Sequence, residues 1–301
     1  MKISVVIPTK DREKELATAL KSLLAQTRLP DELIIIDDGN LSLHWLGEAL
    51  NNRISLKYIK KDTPGTVRSR NLGIQVFKGD IMTQLDDDVE LAPDYFEVIE
   101  KIFQADTEKK IGGLAAYIET EKPGVARATK NALERFFFMR GPEGSVLPTM
   151  WNSFVEKQPQ GEVEVQWLPG CNMTFRREAL QGKQFETAFL DYGYCEDLML
   201  SYQIHLEGRF KLVVTGQTSL KHFHTPTARM KERKLGKMML VHRRFMFKKL
   251  VPQTLKNRAM FAWSTFGTIV VEFFNKLSNP FKNRGGRIFG MFEGLFTKDL
   301  Q

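Results

Sequence analysis

The sequence predicts a doubly wound α/β fold on a mixed sheet, followed by a basic helical extension. Three observations predict it. Apolar, β-branched runs alternate with helical patterns through the first hundred or so residues, as βαβ units with a sheet buried on both faces require. These runs end in polar or acidic residues, at the strand ends where open α/β sheets bind ligands. The charge is also uneven: of 301 residues, those from Pro226 onward carry 16 Lys/Arg and four acidic residues, a net +12, leaving −4 for residues 1–225 within the total of +8.

ISVVIP (3–8) reads as a strand buried on both faces, and Thr9-Lys10-Asp11 opens a helix through ELATALKSLLAQ with Leu16, Leu20, Leu23 and Leu24 at helical spacing. LIIID (33–37) is a second buried strand ending in Asp37-Asp38-Gly39. A short helix near 42–51 leads to ISLKYIK, a third strand. TPGTVRSRNLGIQVF is a glycine-containing loop running into a helix, DIMTQLDDD is a strand with carboxylates at its C-terminal end, and 93–104 is helical. Beyond these, IGGLAAYIET predicts a strand, ALERFFFMR a Phe-rich helix, and 141–161 a loop. WLPGCNMTFRREAL and the stretch around CEDLMLSYQIHLEG each read as a strand entering a helix, and LVVTG and SLKHFHTP as two short strands. From 227 to 301 the chain reads as helical and aromatic-rich with interleaved basic residues. Its most apolar stretch, AMFAWSTFGTIVVEFF, contains Glu272 and falls short of the ~20 apolar residues of a membrane span. A basic helix with Phe and Trp on its other face suits a membrane surface better.

The 42% hydrophobic and 27% charged composition is that of a globular protein, not a disordered one. Two cysteines, Cys171 and Cys195, make no disulfide framework, so a reducing, cytosolic setting is expected. MKISVVIPTKDREKE has a four-residue apolar run followed by charge, and no signal peptide is expected.

The strongest chemical signal is QLDDDVEL (84–91). Three adjacent carboxylates repel one another, and burying one unpaired is costly. Alternate residues of an extended chain share a face, so Asp86 and Asp88 converge as an oxygen-donor pair for Mg²⁺ or Mn²⁺, with Asp87 turned the other way and expected to tolerate Asn best. The alternative is a solvated acidic turn capping the next helix. Asp37-Asp38-Gly39 is either a carboxylate site for a nucleobase or ribose or an Asp-Gly turn. Gly65, Arg68, Arg70 and Asn71 sit where a loop enters a helix, a phosphate-binding arrangement or a solvated basic face. Glu196-Asp197 opens a helix, where acidic residues are favoured by the macrodipole or where a general base could stand; spacing alone does not separate these. His222 and His224 share a face of an expected strand and are either structural or a source of a metal ligand.

Taken in order, VVIPTKDR, LIIIDDG, TPGTVRSRNLGI, QLDDDVEL, LPGCNMTFRREAL and EDLMLSYQIHLEG resemble the family 2 glycosyltransferases over about residues 1–225. The resemblance implies a GT-A fold, a nucleotide-diphosphate sugar donor, a divalent metal (Mn²⁺ or Mg²⁺) and inversion at the anomeric carbon. It implies that Pro8 and Thr9 flank the nucleoside, that Asp38 holds the base, and that Arg12, Gly65, Arg70, Asn71 and Asp87 belong to the donor site. Asp86 and Asp88 match the family's DxD pair, which holds metal and diphosphate. Gly170, Cys171 and Asn172 match the segment lining the sugar and acceptor site. Asp197 matches the catalytic base and Glu196 its support, and His222, less clearly His224, matches a late histidine near the metal. Gly39-Asn40 stands where relatives usually have Gly-Ser. The Gln/Arg-x-x-Arg-Trp motif of processive relatives is not found, so a non-processive enzyme is expected.

The expected organisation is a transferase domain over 1–225, with a nucleotide-sugar half (1–110) and an acceptor half (111–225), then a membrane-associating tail over 226–301. The expected acceptor is a glycan or lipid-linked glycan of cell-surface polysaccharide synthesis, met on the cytoplasmic face of an anionic membrane, with no nucleic acid as partner. A sugar nucleotidyltransferase would carry a glycine-rich loop after the first strand, where IPTKDRE has no glycine. A non-catalytic nucleotide-binding protein gives no reason for Asp86 to Asp88.

Overall fold

A computed structural model describes residues 1–50, 53–119, 125–190, 193–225, 230–278, 285–298 and 300. In chain order the elements are β1 (Ile3–Thr9), α1 (Glu13–Leu24), β2 (Glu32–Asp37), α2 (Leu43–Leu50), β3 (Ser55–Lys60), α3 (Thr66–Val76), β4 (Ile81–Leu85), β5 (Val89–Leu91), α4 (Tyr95–Ala105) and β6 (Ile111–Ile118). They continue with α5 (Val125–Phe136), β7 (Glu162–Val165), β8 (Asn172–Arg176), α6 (Glu196–Leu206), β9 (Lys211–His222), α7 (Glu232–Leu250), α8 (Leu255–Ser278) and α9 (Gly285–Phe296). The chain forms two compact units, one of Met1–Thr120 and Val155–Ala228, the other of Glu121–Phe154 and Arg229–Gln301. The boundary expected at 225/226 abuts residues 226–229, which lie outside the described residues.

The first unit is built on one mixed sheet of order β3-β2-β1-β4-β8-β6-β9-β5, with β7 also paired to β9. β1, β2, β3 and β4 run parallel, β8 is antiparallel to both β4 and β6, and β6 is parallel to β9. The β-branched runs of β1 and β2 are buried because helices cover both faces of such a sheet. α1 buries Leu16, Leu20 and Leu23, and α4 buries Tyr95, Phe96, Ile99 and Phe103, each a helical stripe turned to the sheet. α3 comes so close to β1 that a Cβ on Gly73 would stand 2.6 Å from a Val6 methyl.

The expected alternation holds, with four differences. The Asp triplet does not end its strand region, since Val89–Leu91 pairs antiparallel with β9. LVVTG and SLKHFHTP form one strand, β9, with a register shift where two strands were expected. In the segment before α6, residues 162–165 beside the expected loop form β7, and among the described residues a 3-10 turn at Thr187–Phe189 and a left-handed Cys195 (φ 63°) lead into the helix in place of the expected strand. WLPGCNMTFRREAL gives β8 and then a 3-10 turn at Arg177–Leu180 instead of an α-helix.

The second unit contains α5, α7, α8 and α9. A small core of Phe137, Met139 and Val271, backed by Leu133, Trp151 and Val270, holds its first segment on α8. The Arg243 guanidinium lies 3.4 Å from the centre of the Trp151 ring, a cation–π contact in the same unit.

Candidate active site

The parallel register places Thr9, Asp37 and Lys60 side by side at the C-terminal ends of β1, β2 and β3. Asp37 is fully buried and accepts from Gly39 N (2.6 Å), Leu41 N (3.0 Å) and Tyr58 Oη (2.7 Å). Burial favours its neutral form, but these bonds outweigh that and hold its pKa below the usual carboxylate value. Tyr58 is pushed up to about 12 by burial and by the same bond. Asp38, expected to hold a base, takes Lys61 Nζ and Gly65 N at 2.8 Å each and Ser69 Oγ at 3.2 Å, which fastens the loop before α3 to the sheet edge. Gly65 sits at φ 147°, a conformation that disfavours any side chain, so the loop needs glycine there.

Past β4 the three aspartates separate in the turn that leads to β5. Asp87 turns to Thr9 Oγ1 (2.7 Å) and Arg12 (2.8 Å), away from its neighbours. It is not a free surface residue but a buried one, and burial, only partly offset by Thr9 and Arg12, pushes it up to about 7. Asp86 and Asp88 face the other way. The pairing of Val89 with His222 across β5 and β9 delivers the imidazole to them: Nε2 lies 3.0 Å from Asp88 Oδ1 and 3.8 Å from Asp86 Oδ2. Asp86, Asp88 and His222 each offer one ligand atom within 4.8 Å of the others. Two carboxylates and one imidazole fit a divalent cation of the Mn²⁺ kind, with hard oxygens and a single nitrogen. Asp88 is buried, which favours its neutral form, yet His222 and Arg12 hold it far below the usual range and keep it charged. His224 is not in this group; it has left the strand at φ 50°, and its ring lies 3.9 Å from that of His222.

The cluster extends through Arg70. Its buried guanidinium donates to Glu196 Oε1 (2.6 Å), Asp86 Oδ1 (2.9 Å) and the Gly170 carbonyl (3.0 Å). Asp197 accepts the Gly170 N–H at 2.8 Å. A Cβ on Gly170 would come within 2.9 Å of Arg70 and 3.1 Å of Asp197, so this approach requires glycine. Glu196, Asp197 and Asp86 thus crowd one guanidinium. Burial, opposed by Arg70 and reinforced by Asp197, pushes Glu196 up to about 8, and burial raises Asp197 also. A proton on Glu196 or an added cation relieves this excess of negative charge. Glu196 is 5% exposed, whereas Asp197 is half-buried, so of the pair Asp197 is the one an incoming group can reach.

Other expected site residues serve the framework. Asn71 clamps Phe185 through two bonds, Nδ2 to its carbonyl (2.9 Å) and Oδ1 from its N–H (2.7 Å). Asn172 was expected to line the sugar and acceptor pocket. It is fully buried, accepts from Tyr95 Oη (2.6 Å) and donates to the Ala116 carbonyl (2.6 Å), tying β8 to α4 and β6. Cys171 is buried too, and burial lifts its thiol well above the usual value. Pro8 is half-buried at the end of β1, and Arg68 is exposed. Arg12, placed with the donor site, bridges Asp87 and Asp88 and bonds Thr225. Thr225 donates to Asp88 from N and Oγ1, both at 3.0 Å, a role no sequence pattern announced. Lys61 and Ser69 on Asp38 went unremarked for the same reason.

A nucleotide-type α/β sheet with carboxylates and a histidine gathered at its strand ends defines a GT-A-like transferase scaffold. The chain matches the family description "Glycosyl transferase family 2" over residues 4–182, and it belongs to that family. It is similar to an "Uncharacterized glycosyltransferase" of Rickettsia conorii, 33% identical over 132 residues that cover 41% of this chain and 22% of that protein. It is also similar to a "Glucosyl-dolichyl phosphate glucuronosyltransferase" of Haloferax volcanii, 27% identical over 190 residues covering 59% of this chain and 53% of the relative. The matched region spans about a fifth of the Rickettsia protein and about half of the Haloferax one. Among solved structures, a mannosyltransferase from Pyrobaculum calidifontis with GDP-Man and Mn²⁺ superposes with a TM-score of 0.59 at 14% identity, covering 99% of this chain and 88% of that one. S. aureus TarS 1–349 with UDP-GlcNAc superposes at 0.54 and 15% identity, covering 97% and 89%. At such identities the likeness establishes the fold.

Proposed function

We propose that the chain is an inverting, non-processive glycosyltransferase that moves one sugar from a nucleotide-diphosphate sugar to a hydroxyl of a glycan or lipid-linked acceptor. The observation that carries this reading is the joining of Asp86, Asp88 and His222 to Glu196 and Asp197 through Arg70. Arg70 bonds Asp86 of the cation-type ligand set, Glu196 and the Gly170 carbonyl, and the Gly170 N–H holds the raised, reachable carboxylate of Asp197. Asp197 takes the proton of the acceptor hydroxyl as its oxygen bonds to the anomeric carbon and the bond to the diphosphate breaks. Its raised pKa makes it a stronger base than an ordinary aspartate. Glu196 and the Gly170 amide hold Asp197 and Arg70 in place. Asp86, Asp88 and His222 would hold Mn²⁺ or Mg²⁺, which when bound supplies positive charge against the leaving diphosphate. Thr9, Asp38 and Gly65 shape the strand ends for the nucleoside.

The name of the Haloferax relative supports a lipid-linked acceptor, and the +12 balance beyond residue 225 supports work at the cytoplasmic face of an anionic membrane. The test is Asp197→Asn, with donor binding and sugar transfer measured separately over a panel of nucleotide sugars. Donor binding survives and transfer falls by at least about a hundredfold if Asp197 is the base. Transfer near the wild-type rate refutes the assignment.

A further inference from the structure

α8 is turned inside out. Beside Val271, a stripe of small and polar residues, Ser264, Gly267, Thr268 and Glu272, faces the protein, whereas Trp263, Phe266, Phe273 and Phe274 are exposed, Phe266 at 55%. An amphipathic helix at a water-facing surface has the opposite arrangement. α9 repeats the pattern by another route. Gly286, Gly290 and Gly294 recur every fourth residue along it, and Cβ atoms on the last two would stand 1.8 Å from the Arg233 carbonyl oxygen and 2.9 Å from that of Lys237 on α7. Gly236 of α7 returns the approach: a Cβ there would stand 1.9 Å from the Arg287 carbonyl oxygen. Backbones therefore pack directly, and the large side chains Phe289, Phe292 and Phe296 are left outside.

Packing through small residues, with polar groups joining the helices inside, is the solution helices adopt when their outer surface meets lipid. The polar join is present: Arg287 bonds Glu232 of α7 at 2.6 and 3.1 Å and Glu272 of α8 at 3.3 Å. Among the described residues no helix is long and apolar enough to cross a membrane. Exposed Lys256 and Arg258 mark one end of α8 and Lys276 the other, with Lys298 beyond α9. Two copies of so basic a segment repel each other, whereas an anionic bilayer supplies both an apolar layer for the rings and phosphates for the cations.

We propose that the outward aromatic faces of α8 and α9 are a monotopic docking surface that lies in the headgroup region of an anionic bilayer. The surface gives residues to the membrane partner of the proposed function and rests on that reading for its purpose, though not for its test. The full chain is mixed with phosphatidylcholine vesicles containing phosphatidylglycerol and floated at physiological salt. Wild type rises with the vesicles. The triple variant Phe266→Ser, Phe273→Ser, Phe292→Ser loses vesicle partitioning by at least about tenfold, while the same three positions changed to Leu retain it. Far-UV circular dichroism and thermal unfolding, measured without lipid, match in all three and show that each is folded. Wild type remaining at the bottom, or the serine variant floating as well, overturns the proposal. So does a wild-type dimer that the serine changes split while no form binds vesicles. Absence of metal-dependent nucleotide-sugar binding in wild type, measured separately, overturns the transferase reading and leaves the vesicle result standing.

Discussion

Arg70→Met removes the guanidinium on which the site is assembled. The side chain is 4% exposed and holds Glu196 at 2.6 Å, Asp86 at 2.9 Å and the Gly170 carbonyl at 3.0 Å. Methionine keeps the apolar stem and leaves the carboxylates unpaired. Deleting one partner of a buried ion pair costs about 3–5 kcal/mol, and that is the stability loss expected at pH 9 with metal chelated. The pH dependence has a definite sign. Glu196 is already pushed up to about 8 with Arg70 present, and without that cation it rises further. A carboxyl raised in the folded state binds a proton there that the unfolded chain releases near pH 4.3, so stability falls as pH rises toward the folded value. Above about pH 8 the penalty is complete in wild type and its stability levels off, whereas the variant continues to lose stability. Urea unfolding should therefore show a larger difference at pH 9 than at pH 7. A loss below about 1 kcal/mol at pH 9, or an equal loss at both pH values, refutes the charge argument.

Further outcomes follow from the same geometry. Asp37→Asn weakens at least one charge-assisted bond from Tyr58 or Leu41 and should cost about 2 kcal/mol at pH 7. Because Asp37 is lowered in the folded state, its stabilisation is present above about pH 4 and disappears as pH falls through the folded value, so the two proteins converge in acid. Gly65→Ala forces a side chain onto φ 147° and should cost at least about 1 kcal/mol by thermal unfolding, with donor affinity reduced because the loop tied to Asp38 shifts. Asp87→Asn, read by unfolding at pH 5 and pH 9, should differ from wild type less at the lower pH, since the wild-type carboxyl at about 7 is itself neutral there. A difference independent of pH contradicts this.

The first part of the fold was legible because the apolar runs of β1, β2 and β4 are buried and lead to polar residues on one edge, while the more exposed β3 follows their spacing. The separation of Asp87 from Asp86 and Asp88 was legible, but its setting was not: Asp87 and Asp88 lie in the turn between β4 and β5, and Asp87 points inward to Thr9 and Arg12. His222 could not be told from His224 because the choice depends on β5, a three-residue strand too short to show a pattern, whose Val89 pairs with His222. Arg70 was readable as a cation near the site but not as the centre of a carboxylate cluster, because Glu196 and Gly170 reach it from 126 and 100 residues away. Asn71 was expected at the donor site from its place at a helix start and from the family resemblance, and Asn172 in the acceptor segment from the resemblance alone. Only tertiary structure shows that the Asn71 amide is consumed by the Phe185 backbone and the Asn172 amide by Tyr95 and the Ala116 carbonyl. The aromatic tail could be read as helical and basic, but which face it turns outward is set by packing against α7 and α5.

The central claim is that Asp86, Asp88 and His222 hold a divalent cation for a nucleotide-diphosphate sugar. The most direct measurement is calorimetric binding of a panel of nucleotide sugars to wild type and to Asp88→Ala, each with and without Mn²⁺. The account predicts at least one donor whose binding to wild type tightens by at least about tenfold with Mn²⁺, and no such gain in the variant. No metal-dependent binder across the panel, or an undiminished metal effect in Asp88→Ala, contradicts it.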